Sequence, residues 1–347
     1  MKILVRATNW VGDAVMSIPA LEAIRGRWPQ AEIAILARPG VAELYRGQGY
    51  ADRLLIFDHA SRHRGVWGRR RLASELRGER FDVAVLLQNA FEAAWIAWRA
   101  RIPVRIGYNR DARGFLLTRA VEVPRPEEVP AHEAYYYLEL LRRAGWTERL
   151  PAVEHIALRV EPAQRERAAE MLHRAGARGG AFRVALGPGA TYGSAKCWLP
   201  ERYAALADCL IADFNADVIL FGTVAERVVA ERISAAMRRR PVTLVGATSI
   251  GDLPALLAAC DLFIGNDSSA MHVAAAVGLP VVGIFGPTDP ACTAPATPRF
   301  RLVRQPVSCS PCFLRECPVD HRCMTRIAVD AVYEAAHPWL AGSARGA

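Results

Sequence analysis

The chain has 347 residues, of which 52% are hydrophobic and 23% charged. Those proportions exclude a largely disordered protein, and the length exceeds what one hydrophobic core usually serves, so two domains are expected. Lys and Arg (44) outnumber Asp and Glu (35), leaving a formal charge of +9; this favours a phosphorylated or polyanionic partner without choosing among nucleotide, nucleic acid and anionic lipid, and a merely basic surface fits it equally.

Met1-Lys2 runs directly into Ile3-Leu4-Val5 without a leader pattern, and no apolar run reaches the roughly 18 residues that span a bilayer, so a cytoplasmic protein is expected. Its eight cysteines do not look like a secreted disulfide framework. Short β-rich runs follow in order at Lys2–Ala7, Glu32–Ala37, Arg53–Phe57, Asp82–Leu87 and Val104–Gly107, with a helical pattern over Asp13–Arg27 that contains Pro19. The Pro-rich stretch Pro124–Pro130 precedes a helix over His132–Ala144. A second series of strands is predicted at Phe182–Leu186, Asp217–Phe221, Val242–Val245, Asp261–Ile264 and Val281–Phe285, with helices at Pro200–Phe214, Val224–Arg238 and Ser268–Val277. The glycines of Gly176-Ala177-Arg178-Gly179-Gly180 suggest a boundary between the two series. The expected division is 1–170, 171–327, and a final helix, Val329–Leu340, returning toward the first domain ahead of a fraying Gly-Ser-Ala-Arg-Gly-Ala tail.

Strands alternating with helices imply parallel sheets, and open sheets of that kind bind ligands beyond the carboxyl ends of their strands. After the first strand, Gly12 suits a tight turn, and Asp13 at the helix mouth is either a helix cap or a general base. In the second series, Gly187 through Pro200 reads as a glycine- and hydroxyl-rich loop, with Thr191 and Lys196, leading into a helix. It is either a phosphate cradle or a flexible loop carrying a solvated lysine. Asn266-Asp267-Ser268-Ser269 opens the next helix and offers N–H groups and two hydroxyls to a diphosphate; Asp267 is otherwise a cap, and His272, one turn on, is otherwise a buried structural histidine. Arg62, Arg64, Arg69, Arg70 and Arg71 crowd one segment, either as a solvated helix face or as a grip on acidic groups. Cys309, Cys312, Cys317 and Cys323 begin as a metal half-site, but the x5 spacing of the last pair departs from common four-ligand sites, so a thiol-rich capping loop is the alternative.

Trp10-Val11-Gly12-Asp13, Arg105-Ile106-Gly107-Tyr108, Arg113 through Thr118, Pro188-Gly189-Ala190 with Lys196 and Trp198, Asn266-Asp267-Ser268 with His272, and Cys309-Ser310-Pro311-Cys312 through Cys323 form an ordered set. From Met1 to about Ile327 the chain resembles the ADP-heptose:lipopolysaccharide heptosyltransferases, glycosyltransferase family 9, most of all the heptosyltransferase II branch. The resemblance implies a GT-B α/β fold of two facing Rossmann-like domains with a central cleft, acceptor on the first and ADP-heptose on the second. It implies an inverting transfer with Asp13 as general base and no required cofactor or metal. The donor would be held by Gly12, Thr191, Lys196, Glu226, Asp267, Ser268, Ser269 and His272, with Lys196 on the diphosphate. The acceptor, the inner core of lipopolysaccharide, would be held by Arg62, Arg64, Arg69, Arg70 and Arg113. Ser269 stands where many relatives carry glycine. A peripheral place at the cytoplasmic face of the inner membrane, with no nucleic-acid partner, completes the expectation. A related transferase with another nucleotide sugar, or a binding protein without catalysis, are the alternatives; the presence of both Asp13 and Lys196 argues against the latter.

Overall fold

The structure is a computed structural model that describes residues 1–340; the expected fraying tail lies outside the described residues. The chain divides into two compact units, Met1–Val153 and Glu154 onward. In the first, strands β1 (Lys2–Arg6), β2 (Glu32–Ala37), β3 (Arg53–Ile56), β4 (Val83–Leu86), β5 (Val104–Tyr108) and β6 (Arg119–Val121) alternate with helices. These are α1 (Val11–Met16), α2 (Ile18–Arg27), α3 (Pro39–Tyr45), α4 (Gly65–Glu79), α5 (Phe91–Arg99) and α6 (Glu133–Arg143). The sheet order is β3-β2-β1-β4-β5-β6, parallel throughout.

The second unit repeats the plan. It opens with α7 (Pro162–Arg174), then β7 (Arg183–Gly187), α8 (Pro200–Phe214), β8 (Asp217–Leu220), α9 (Arg227–Ala236), β9 (Val242–Thr243), α10 (Leu253–Ala258), β10 (Leu262–Asn266) and α11 (Ser269–Ala276). It continues with β11 (Val281–Phe285), α12 (Pro290–Thr293), β12 (Phe300–Arg304), α13 (Arg322–Thr325) and α14 (Val329–Leu340). Its order, β12-β11-β10-β7-β8-β9, is again fully parallel. Counted from the start of each unit, both sheets run 3-2-1-4-5-6. Strand order therefore reverses between β1 and β4 in one sheet and between β7 and β10 in the other, the positions where ligands enter doubly wound sheets.

The central strands are apolar on both faces because helices cover both: β4, β10 and β11 are buried along their whole length. Each fully buried Leu, Ile or Val contributes on the order of 2 kcal/mol. The sixth strand of each sheet lacks that signature, and the sequence does not announce it. β6 is three residues with two exposed, and β12 (FRLVR) carries two arginines, as outer strands that resist further pairing do.

Three sequence expectations are corrected. The predicted helix Asp13–Arg27 is two helices, because Pro19 lacks an N–H and sits in the first turn of α2. Ser17 marks the break, with its hydroxyl on the Ala14 carbonyl at 2.9 Å and beside Tyr45 Oη at 3.1 Å. The division falls after Val153 rather than near 170. Leu158 N–H donates to the Ala276 carbonyl and α7 packs on α10, so residues 154–174 belong to the second unit; the later glycines only stop α7, Gly176 having φ +94. Finally, the helix expected to return to the first domain is part of the second unit's core: α14 packs on α8, β11 and β12 through Val332, Ala336 and Leu340. No helix among the described residues is long and apolar enough to cross a membrane.

At the reversal in the second sheet, Gly187 ends β7 against the ring of Phe263, where an added Cβ would lie 2.6 Å from the ring carbon Cζ. Gly187→Ala is expected to lower stability by about 1–3 kcal/mol through overpacking. A fall in the urea midpoint at constant slope checks this, and an unchanged midpoint contradicts it.

Candidate functional site

Asn266, at the carboxyl end of β10, is fully buried and connects three segments of the second unit. Its Oδ1 accepts from the Trp198 backbone N–H (3.0 Å) and from Tyr203 Oη (2.9 Å), while Nδ2 donates to the Pro188 carbonyl at 2.6 Å. One amide thus fixes the loop after β7, the entry to α8 and the start of α11. Next to it Asp267, also buried, accepts through Oδ2 from Lys196 Nζ (2.6 Å) and Thr288 Oγ1 (2.7 Å). Lys196, with 12% of its side chain exposed, also lies 5.0 Å from the Tyr192 ring centroid. The lysine loop is therefore not flexible: an ion pair and an aromatic face hold the ammonium in place. The Asp267 carboxylate aims the lysine and is not itself suited to touch a phosphate.

Beside that pair, α11 begins at Ser268 with no side chain capping it. Ser268 Oγ is buried with no hydrogen-bond partner. A helix start without a side-chain cap, an orphan hydroxyl and an adjacent ammonium together form an anion site. Ser269 occupies the first turn, and His272 is buried one turn further on. Glu226 accepts from the Thr223 N–H at 2.6 Å and its hydroxyl at 3.0 Å, and it lies against Gly189, where an added Cβ would meet its carboxylate oxygen at 1.8 Å. That places the acid at the carboxyl ends of β7 and β8. Thr191 is exposed in the same loop as Lys196.

The thiol-rich segment packs on this loop. Tyr192 Oη donates to the Phe313 carbonyl (2.7 Å), Ala195 N–H to the Arg315 carbonyl (2.9 Å), and His321 Nε2 meets the Ala195 carbonyl at 2.7 Å. Gly193 is pressed so closely to the Arg315 backbone that a Cβ would lie 2.2 Å from its carbonyl oxygen. All eight cysteines are free thiols, and among the described residues no group of three or more His, Cys, Asp or Glu is placed to hold a metal ion. Sequence spacing draws attention to the thiols; the backbone between them is what supports the lysine.

In the first unit, Asp13 and Gly12 lie inside the first turn of α1, whose N-cap is Trp10. Asp13 is thus no N-cap, and Gly12 lies buried within the helix rather than in a turn preceding it. Tyr45, Tyr137 and Glu133 surround this carboxylate closely enough to feel its charge. Burial first, and then Asp13, pushes the Glu133 carboxyl up to about 7; burial likewise holds both phenols well above their ordinary value, with Asp13 adding to it. Sequence reading missed Glu133 because only the fold brings the start of α6 to the start of α1.

A second group surrounds a cavity of about 780 Å³ lined by His59, Arg64, Arg69, Arg70, Phe91 and Trp95, among others. Arg69 pairs with Glu92 at 2.5 Å. Burial lowers Arg6 to about 10 and lowers Arg38 and His59, the last also through the charges of Arg38 and Arg69. Arg6 Nε, Arg38 Nε and His59 Nδ1 are buried without partners. Two orphan guanidinium N–H donors and an unpartnered imidazole nitrogen among several cations fit an anionic ligand better than they fit one another. Arg6, Arg38 and His59 escaped the sequence reading because they come from three separate strand ends. Arg62 is held on Glu75 at 2.6 Å and does not line the cavity. Arg113, predicted among the acceptor contacts, is corrected. It is fully buried, donating to the carbonyls of Tyr108 (3.0 Å) and Gln88 and to Asn89 Oδ1 (3.0 Å), and burial pushes it down to about 10.

Tandem doubly wound parallel sheets define a class of α/β proteins that take ligands beyond the carboxyl ends of their strands. The sequence profile of glycosyltransferase family 9 (heptosyltransferase) matches residues 69–322. The chain belongs to glycosyltransferase family 9. Over 317 residues it is 32% identical to lipooligosaccharide heptosyltransferase 2 of Haemophilus influenzae, covering 88% of each chain. It is 31% identical to lipopolysaccharide heptosyltransferase 2 of Salmonella typhimurium, again covering 88% of both. Its structure is similar to the ADP-heptose LPS heptosyltransferase II of E. coli, with a TM-score of 0.83, 28% identity and 99% of both chains covered.

Two outcomes follow from the first unit. Because native Glu133 binds its proton more tightly than the unfolded chain does, its contribution is complete below about 4.5 and is lost as pH rises through about 7. Glu133→Gln should remove that decline, on the order of 2–3 kcal/mol across the window, in urea midpoints measured against pH; an unaltered pH profile contradicts it. Arg113→Lys, which keeps charge but not the fork of donors, should cost about 2–4 kcal/mol in thermal unfolding.

Proposed function

We propose that this protein is an inverting heptosyltransferase that moves a heptose from ADP-heptose to the inner core of lipopolysaccharide, working at the cytoplasmic face of the inner membrane. The observation that supports it most is the start of α11: no side chain caps it, the Ser268 hydroxyl is an orphan, and Lys196 is held beside it. A sugar-nucleotide diphosphate supplies the acceptors these donors lack. Lys196 and the helix start stabilise charge on the departing ADP, Asp267 positions the lysine, and Glu226 receives the ribose hydroxyls. Ser269, Thr191 and His272 complete the donor contacts.

Asp13 takes the proton from the acceptor hydroxyl as its oxygen bonds to the anomeric carbon and the bond from that carbon to phosphate oxygen breaks. The sugar is transferred with inversion and ADP leaves. Arg64, Arg69 and Arg70, with Arg6, Arg38 and His59 behind them, receive the acidic groups of the acceptor. The thiols of the 309–323 segment take no part in the chemistry, and no resident cofactor is proposed.

Asp13→Ala should lower kcat by about 100- to 10,000-fold while leaving ADP affinity within about twofold, whereas Lys196→Ala should impair both transfer and donor binding. Product mass spectrometry over a matrix of nucleotide sugars and core acceptors reads the outcome. Transfer of a different sugar, or ADP release that does not depend on acceptor, would overturn the assignment.

A further inference from the structure

Around the cation-lined cavity of the first unit stands a rim of apolar side chains that the proposed chemistry does not use. Trp67 and Phe115 are each 78% exposed, and Val66, Phe91 and Trp98 also project from the surface. They form one patch. Val66 and Phe91 line the same cavity; Phe115 lies 6.2 Å from Phe91, ring centre to ring centre. Along α5, Phe91, Trp95 and Trp98 recur at the spacing that puts them on one helix face, and α5 packs on α4, which carries Val66 and Trp67. Scattered exposed apolar residues are ordinary; five on two packed helices and the adjoining turn, two of them at the cavity, are not.

The charges within this patch distinguish its partner. Arg64, Arg70, Arg71 and Arg99 make no ion pair with a carboxylate among the described residues, whereas Arg62 pairs with Glu75 and Arg69 with Glu92. The Arg70 guanidinium lies over the Trp67 ring at 4.7 Å. Indole and phenyl rings interleaved with arginines that have no carboxylate partner suit the headgroup boundary of an anionic bilayer.

We propose that this rim is a membrane-docking surface: Val66, Trp67, Phe91, Trp98 and Phe115 enter the interface of an anionic phospholipid bilayer, and Arg71 and Arg99, which do not line the cavity, sit among its phosphates. The inference rests on the reading of the acceptor as a lipid-borne saccharide, since docking here brings the opening of the cation-lined cavity to the membrane surface. It names the residues that hold the protein there, which the catalytic assignment does not.

The test uses the full chain with phosphatidylcholine vesicles, with and without phosphatidylglycerol, in the absence of donor and acceptor. Co-sedimentation is expected only with the anionic vesicles, weakening as salt is raised. The double variant Trp67→Ser, Phe115→Ser should lose binding by at least about tenfold, and Arg71→Ser and Arg99→Ser about fivefold each. All are surface changes, so thermal unfolding should not move. Transfer to a soluble, lipid-free core saccharide should persist in the Trp67/Phe115 variant while transfer to acceptor embedded in vesicles falls. Because vesicle binding is read without substrates, its failure is distinct from failure of the heptosyl assignment. No binding to anionic vesicles at low salt, binding that survives the double variant, or self-association through this face in place of vesicle binding would overturn the proposal.

Discussion

A single buried carboxamide organises the second half of this molecule. Asn266 has to satisfy its polar atoms out of reach of solvent, and it does so by accepting from Trp198 and Tyr203 and donating to Pro188. Because those three partners belong to the loop after β7 and the beginning of α8, the segment carrying Lys196 has little freedom to move without stranding a buried amide. The Lys196–Asp267 pair, the uncapped start of α11 and the support from the 309–323 backbone all depend on that registration. Where strand order reverses, close approach of β7 and β10 further requires a residue without a side chain at Gly187.

The first unit solves a different electrostatic problem. Several arginines converge on strand ends where Glu92 offers an opposite charge, and buried nitrogens of Arg6, Arg38 and His59 are left without partners. Such an arrangement is unfavourable until something anionic arrives. Arg113 shows the contrast: equally basic and more deeply buried, it is fully satisfied by backbone carbonyls and Asn89 and is part of the framework.

Much of this was legible in the sequence, for identifiable reasons. Ten of the twelve strands show, the inner ones most clearly, because parallel strands buried on both faces leave continuous Val, Ile and Leu runs. β6 and β12 do not show, since edge strands are short or carry charge. Lys196, Ser268 and Asp13 were readable because each sits just after a strand, where glycines and hydroxyls break the apolar pattern. Glu133, Arg6, Arg38 and His59 were not, since their meaning arises only when distant segments are folded together. Arg113 misled because charge alone does not reveal burial, and the spacing of the thiols left a metal half-site and a capping loop both open, whereas the fold shows their backbone packed on the lysine loop.

The Lys196–Asp267 pair also bears on how easily a product departs. An ammonium that already has a counter-ion at 2.6 Å gains from an incoming diphosphate only the difference between two partners. Under the proposed chemistry this moderates the grip on ADP once the sugar has gone, because part of the ammonium's charge stays committed to Asp267. An anchor that keeps its own counter-ion throughout the cycle favours throughput over tight retention.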